Sequence, residues 1–380
     1  MEIYLVGGAV RDQLLGLPVH ERDWVVVGAT PDQMRAQGYQ QPDPDFPVFI
    51  HPVTGEEYAL ARRETKIAPG YKGFTILADP TVTLEEDLRR RDLTINALAQ
   101  DAAGQLIDPY GGQRDLHLGT LRHVSPAFPE DPLRLLRLAR FAAHLGRYGF
   151  RVAHSTQKLL PALVSAGELA TLPAERLTRE LLRALASDRP ARFFTVLGKC
   201  GALTVLWPEL AQVLGGLPAA HAGAALPPPL AALDRAAQLQ YAPPVRWGVL
   251  GQVVGSVALS RLHQRLALPA AYREAAEQMA ACGAALQTAQ TPAERMALFD
   301  QLDAWRRPQR LQNLLEGLQA SALTPAAQQQ AAQQADAWQM AWQRVSGISG
   351  RELQAQGVQP GPGFGQHLRL ARLAALQTLS

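Results

Sequence analysis

Glu21 and Asp23 flank Arg22 and lead into the apolar run Trp24-Val25-Val26-Val27. Read as a strand with a period of two, this segment puts both carboxylates on one face and Arg22 on the other. Neighbouring carboxylates repel each other and call for a cation. Magnesium suits them, since it takes hard oxygen ligands from one or two carboxylates plus substrate phosphates. Upstream, Ile3-Tyr4-Leu5-Val6 reads as a strand that runs into Gly7-Gly8, a pair with no β-carbon to hold a phosphate off the backbone amides. Val10 to Leu15 has helical spacing, carries Arg11, and is stopped by Gly16 and Pro18. The glycine turn therefore lies at a helix N-terminus that favours negative charge, and a triphosphate would fit there. An isolated acidic pair of this kind is more often two solvated turn residues. The phosphate-holding turn upstream reverses those odds, because phosphoryl transfer needs phosphates gripped at one end and metal ions at the other.

Two arginine-rich segments follow. Leu88-Arg89-Arg90-Arg91-Asp92 sets three cations beside one acid in an otherwise apolar stretch, which is costly unless they meet phosphate or carboxylate. In Glu130-Asp131-Pro132-Leu133-Arg134-Leu135-Leu136-Arg137-Leu138-Ala139-Arg140-Phe141, the spacing predicts a helix. Its Arg134, Arg137 and Arg140 form one cationic stripe, with Leu133, Leu136 and Phe141 left for the core. Asp131 shares the face of Arg134. Together they can read a base edge, the carboxylate accepting the exocyclic amine common to cytosine and adenine while the guanidinium donates to ring acceptors. A plain ion pair on a solvated helix is the competing reading. Between these segments, Ile107-Asp108-Pro109-Tyr110-Gly111-Gly112 has turn chemistry and reads as a hinge.

Taken together, L-V-G-G-A-V-R-D with the acidic pair, R-R-D-L-T-I-N-A ending at Ala97, the Asp108 turn followed by Asp115-Leu116, E-D-P-L-R ending at Arg134, and Glu175-Arg176-Leu177-Thr178-Arg179-Glu180 resemble the motifs of the class II tRNA nucleotidyltransferases. These are the CCA-adding enzymes and bacterial poly(A) polymerases of the polymerase β superfamily. The family usually has Asp where this chain has Glu21, a change that keeps the charge and lengthens the arm. The resemblance implies catalytic, magnesium-binding Glu21 and Asp23, and a nucleotide held by Gly8, Arg11, Arg91, Arg137 and Arg140. It also implies selection by Asp131 with Arg134, Asp92 near the ribose, a structural i,i+4 pair of Arg176 with Glu180, and tRNA, CTP and ATP as substrates. A poly(A) polymerase or an enzyme adding A alone shares these motifs, and the alternative from another class is a non-catalytic RNA-binding homologue that kept the fold. A G-R-R-F-like run typical of such polymerases is absent, and Phe46-Pro47-Val48-Phe49-Ile50-His51 stands in its place, which favours CCA addition.

The resemblance is dense from Met1 to Leu185 and thinner afterwards. Relatives continue with an HD-type metal phosphohydrolase domain, but here Gln252 and Val253 occupy the place of the metal-binding His-Asp pair. Ala220-His221-Ala222 is the nearest upstream histidine context, and His263 and His367 stand alone in sequence, so a degenerate HD scaffold without phosphatase activity is expected. Phe299 to Pro308 still matches the relatives, which argues that the scaffold is kept.

The expected architecture is α+β: a small N-terminal nucleotidyltransferase sheet with helices (1–122), a helical neck with the nucleotide-selecting helix (123–205), a helical body (206–340) and a helical tail (341–380). In the tail, Arg351 is a candidate phosphate contact or part of a plain helix connection. Thr30-Pro31-Asp32 reads as a capped helix start, and the runs around Thr54-Gly55 read as a hairpin with Glu57 as an edge-strand charge rather than a further carboxylate at the metal site. Lys66 to Pro80 reads equally as a mobile flap or a connection. At 380 residues the chain can bury a core, and its net charge of only +3 does not announce nucleic acid, so clustered arginines must do so locally. Cys200 and Cys282 are too few for a disulfide framework. With no signal peptide and no apolar run long enough to cross a bilayer, the expectation is a cytoplasmic enzyme without a membrane partner.

Overall fold

The computed structural model describes residues 1–68, 70, 73–215 and 226–378, and the chain divides into two compact units. The first comprises residues 1–184 and 192–206, the second residues 185–191 and 207 onward. The first unit opens with β1 (Glu2–Val6), α1 (Gly8–Leu14), β2 (Asp23–Val27), α2 (Pro31–Ala36), β3 (Val48–Ile50) and β4 (Glu57–Leu60). It continues with β5 (Arg63–Lys66), β6 (Phe74–Leu77), α3 (Leu84–Arg89), β7 (Ala99–Gln100), β8 (Leu106–Ile107) and α4 (Gly112–His117). Thr30 caps α2 in a reciprocal bond with Gln33, and Thr83 does the same for α3 with Glu86.

The main sheet has the order β3-β4-β2-β1-β7-β8, while β5 and β6 form a separate antiparallel hairpin. Alternation along β2 covers both faces. Val25 packs with Val6, Ala61 and Leu88, and Val26 packs with Met34, Phe49 and Leu60. Asp23 shares the parity of Val25, so it points to the side on which α3 lies. Val6 opposite it in β1 and Glu57 opposite it in β4 take the same face.

Two expectations change here, and a third segment gains a pairing. The strand starts at Asp23, so Glu21 precedes the ladder and the alternation argument does not reach it. Glu57 opens a strand enclosed between β3 and β2, so it is not an edge-strand charge, although the β3–β4 hairpin itself forms. The segment from Lys66 to Pro80, read as a flap or a connection, takes in the last residue of β5 and all of β6, a pairing that turn chemistry alone did not reveal. Pro69, Tyr71 and Lys72 of this segment lie outside the described residues. Lys66 Nζ donates to the Glu130 carbonyl at 2.8 Å and to both oxygens of Glu168 at 2.7 Å.

Beyond the sheet, β9 (Thr120–Leu121) precedes α5 (Leu133–His144) and pairs in parallel with β10 (Arg151–Val152). Then follow α6 (His154–Ser165), α7 (Ala174–Leu185), α8 (Ala191–Lys199) and α9 (Ala202–Leu206). Leu133, Leu136 and Phe141 of α5 are buried, as their spacing predicted.

The second unit is helical: α10 (Pro208–Leu214), α11 (Pro228–Gln238), α12 (Pro243–Val254), α13 (Ser256–Gln264), α14 (Ala270–Thr288), α15 (Pro292–Gln301), α16 (Gln309–Ser321), α17 (Pro325–Ser346), α18 (Gly350–Ala355) and α19 (Phe364–Gln377). Gln252 lies on α12, where its side chain meets Gly283 of α14 and the Ser321 hydroxyl of α16. His221 is outside the described residues. His263, solitary in sequence, is buried with the Trp247 indole N–H at 3.3 Å from its Nε2 and Glu277 at 3.2 Å from its Nδ1.

Asp108 secures the turn before α4 by accepting from the amides of Gly112 and Gln113 at 2.7 and 2.9 Å. A β-carbon on Gly112 would come within 2.4 Å of the Thr94 carbonyl and 2.8 Å of Leu98, so this corner is a close-packed joint. Gly112→Ala is therefore expected to cost about 1–3 kcal/mol through overpacking. Chemical denaturation at equilibrium measures it, and an unchanged midpoint contradicts the packing argument.

Candidate active site

A cavity of about 460 Å³ opens in the first unit. Gly8, Arg11, Asp23, Arg91, Asp131, Arg134, Arg137 and Arg140 line it, together with Gly7, Glu64, Arg90, Asp92, Asn96, Phe141, Arg176 and Arg183 among others. Eight of the lining residues are arginines, and each must be aimed against the repulsion of the rest.

The glycine turn sits at the end of β1. Gly7 adopts φ +71°, a conformation that requires glycine, and a β-carbon there would lie 2.9 Å from Arg91 Nη1 and displace that guanidinium. Arg11, on α1, is buried; it donates from Nη1 to Asn96 Oδ1 at 2.7 Å, and from Nε to Asp12 at 2.8 Å. Its guanidinium also lies 5.1 Å from the Phe141 ring centre.

Asp87, fully buried on α3, organises the next pair. Its Oδ1 accepts from Arg90 Nε and Nη2 at 2.9 and 2.8 Å, and its Oδ2 from Arg91 Nη2 at 3.3 Å. Glu64 of β5 takes the remaining arm of Arg90 at 2.8 Å. Arg91 Nε is buried without a partner.

Asp92 accepts from the Leu93 amide at 2.8 Å, the Asn96 amide at 3.0 Å and Arg137 Nε at 2.7 Å. Burial alone would push its carboxyl up, but Arg137 and the two amides hold it well below the usual carboxylate range. Asp92 is therefore the anchor that aims Arg137. Arg140 is held in a similar way, by Glu180 of α7 at 2.5 Å and by the face of Phe141 at 4.0 Å. Glu180, expected to pair with Arg176 within its own helix, thus reaches across to α5.

The geometry around Asp131 also differs from the expected side-by-side pair. Asp131 precedes α5 in an extended conformation and accepts from the Leu133 amide at 3.0 Å. Arg134 is buried, and its Nη1 and Nη2 donate to the carbonyls of Ala127 at 2.9 Å and Arg90 at 2.5 Å. Each terminal nitrogen keeps a second N–H, so both residues still present polar groups to the cavity they line.

Asp23 lines the cavity and Glu21 does not, although Glu21 is near enough to act on it electrostatically. Loss of water and then Glu21 raise the Asp23 pKa, against the pull of Arg91 and Arg137. Arg22 turns away to Glu56 at 3.6 Å. Neither the Glu21 nor the Asp23 side chain makes a hydrogen bond or ion pair with the described residues. Two unpartnered oxygen-donor groups in mutual repulsion fit a divalent cation. Among the described residues no three acidic, His or Cys groups could hold an ion unaided, so a cation here would complete its shell with phosphate and water.

Sequence reasoning missed Glu64, Arg90, Asn96 and Arg183 as cavity residues. Arg183 follows Arg176 by seven positions and so shares its helix face, a signal that was legible. Glu64 reaches the cavity only through the β5–β6 pairing, which was not.

Two outcomes follow for stability. A carboxyl whose pKa is higher in the folded than in the unfolded state costs stability once both states are ionised, and that cost fades as pH falls through the raised folded value and is gone below the ordinary Asp value. Asp23→Asn should therefore melt higher than the parent at pH 7, with the gap closing toward pH 3 in calorimetry. Asp92 has the opposite sign: its depressed pKa contributes stability that is present above the ordinary value and is lost as pH falls through the folded one. Asp92→Asn should cost about 2–3 kcal/mol at pH 7, below the range for a wholly buried pair because the Arg137 side chain is 35% exposed, and the deficit should shrink in acid.

Comparison with known proteins places the chain. The Poly A polymerase head domain family matches residues 3–122, and the family described as the probable RNA and SrmB-binding site of polymerase A matches residues 149–214. The chain is 45% identical to the multifunctional CCA protein of Nitrosococcus oceani, over 99% of this chain and 98% of that protein. It is also 45% identical to the CCA-adding enzyme of Pseudomonas putida, with the same coverage. Its fold matches the crystal structure of the Bacillus stearothermophilus CCA-adding enzyme in complex with CTP, with TM-score 0.64 and 24% identity over 99% of this chain and 89% of that one. The chain is thus a nucleotidyltransferase and belongs to the family of CCA-adding enzymes.

Proposed function

We propose that the chain extends the 3′ end of tRNA with C, C and A from CTP and ATP, without a nucleic-acid template. One observation carries the reading: Gly8, Arg11, Asp23, Arg91, Asp131, Arg134, Arg137 and Arg140, scattered through the first 140 residues, line a single cavity. The relatives from Nitrosococcus oceani and Pseudomonas putida support CCA addition over A-only polymerisation.

In the reaction the tRNA 3′-hydroxyl oxygen attacks the α-phosphorus of the bound nucleotide. The new P–O bond forms as the bond to the α,β-bridging oxygen breaks, pyrophosphate leaves with the electron pair, and the hydroxyl proton passes to water. Gly8 and Arg11 hold the triphosphate at the start of α1, with Arg91, Arg137 and Arg140 offsetting its charge. Asp131 accepts from the exocyclic amine of cytosine or adenine and Arg134 donates to ring acceptors, a pattern that uracil and guanine do not meet. Enzymes of this family generally use a divalent metal. For this chain we assign magnesium, held by Glu21 and Asp23, which when bound would acidify the attacking hydroxyl and offset charge on the leaving oxygens.

The four-part division at residues 122, 205 and 340 accompanies this reading: nucleotidyltransferase head, neck, body and tail. Gln252 and Val253 supply no metal ligand of the HD type, so the body is read as a degenerate HD scaffold without phosphohydrolase activity. Among the described residues no helix is long and apolar enough to cross a membrane, and we assign the enzyme to the cytoplasm with its tRNA substrate.

The test is incubation with tRNA lacking its CCA end, with CTP and ATP separately and together. Addition of C, C, A followed by arrest is expected, and Asp23→Ala should lower the rate at least about 10³-fold, since it removes a ligand of the charge-stabilising cation. Runs of A from ATP alone, or an undiminished Asp23→Ala variant, overturn the assignment.

A further inference from the structure

The cavity must admit two polyanions, a nucleoside triphosphate and the end of an RNA strand, and its arginines are not equivalent. Arg11, Arg90, Arg91, Arg134, Arg137 and Arg140 are each held by protein carboxylates, amides or carbonyls. Arg183 is different: it lines the cavity from α7, is exposed, and makes no hydrogen bond or ion pair with the described residues. Arg179, one turn earlier, is likewise exposed and without such a partner. A spacing of four puts their β-carbons about 5–6 Å apart on one helix face. Glu180 on that face cannot neutralise them, because it is buried and bound to Arg140.

We infer that Arg183, with Arg179 beside it, forms a phosphodiester subsite on α7 that holds the backbone of the incoming RNA strand at the cavity wall. The inference rests on the tRNA-extending reading above. Cations left unpaired beside the seven other arginines of the cavity are repelled by them, and an anionic ligand relieves that repulsion. The triphosphate is already provided for by the glycine turn, Arg11 and Arg91, which come from other elements. Solvent-exposed guanidinium groups in a row suit an extended strand, whose phosphates are bound from outside and carry no sequence information. The family described as an RNA-binding site of polymerase A spans residues 149–214 and so includes all of α7.

Arg183→Gln, Arg179→Gln and the double variant test this in two assays. The first measures binding of CCA-less tRNA across a salt series with no nucleotide present. Each lost arginine should flatten the slope of log affinity against log salt by about 0.7, and the double variant should bind roughly tenfold more weakly. The second measures steady-state addition, where KM for tRNA should rise by a similar factor while KM for CTP stays within about twofold; Arg183→Lys should recover most of the loss, which a folding defect would not allow. An unchanged salt slope, or a rise in KM for CTP with tRNA affinity intact, overturns the subsite. Because binding is read without nucleotide, a chain that bound tRNA with the expected slopes yet added nothing would refute the polymerisation reading and leave the subsite standing.

Discussion

Cations crowded into one cavity are the constraint on which this structure turns. At 5 Å and an effective dielectric near 20, each pair of like charges costs about 3 kcal/mol, more than any exposed ion pair returns. The chain answers with carboxylates withdrawn from water. Asp87, Asp92 and Glu180 are all buried, and each holds at least one arginine that faces the cavity. Every such pair aims a guanidinium as well as balancing it. What would otherwise be a diffuse positive field becomes a set of donors fixed in direction before any phosphate arrives.

The acidic end of the site works in the reverse sense. Asp23 is left without a cationic partner, and Glu21 adds to its discomfort. Strain of this kind is tolerable because the sheet beneath it is sealed on both faces, by α3 on one side and α2 on the other. Glycine does the close work at the joints. Gly7 leaves room for Arg91, and Gly112 lets α4 settle against the Thr94 turn that carries Asn96 and Asp92 nearby. Function here is paid for locally and supported by ordinary packing elsewhere.

The second unit is built on different principles. Gly248 and Gly251 bring α12 so close to α14 that a β-carbon on either would strike Met279 or Ala276. Phe299, Trp305, Trp338 and Trp342 form an aromatic cluster in which α15 meets α17, and Arg372 of α19 lies 3.6 Å from the Trp305 ring centre. The helix bearing Gln252 is occupied by this packing, and its apolar content explains why the region keeps its shape with so little chemistry in its sequence.

Local patterns in the chain were enough to determine the α+β class, the strand-turn-helix around Gly7-Gly8, the capped start of α2, the α5 stripe and its core face, because each depends on periodicity or turn chemistry within about a dozen residues. They also determined, through motif resemblance, which residues to look for around one site. Only tertiary structure decided who holds whom. Asp92 anchoring Arg137, Glu180 crossing to Arg140, Arg134 reaching the Arg90 carbonyl and Glu64 entering from a hairpin are contacts between segments far apart in sequence, and no local spacing encodes them. The alternation rule reached Asp23 but failed at Glu21, since a strand ends where its ladder ends, and that boundary is set by the partner strand.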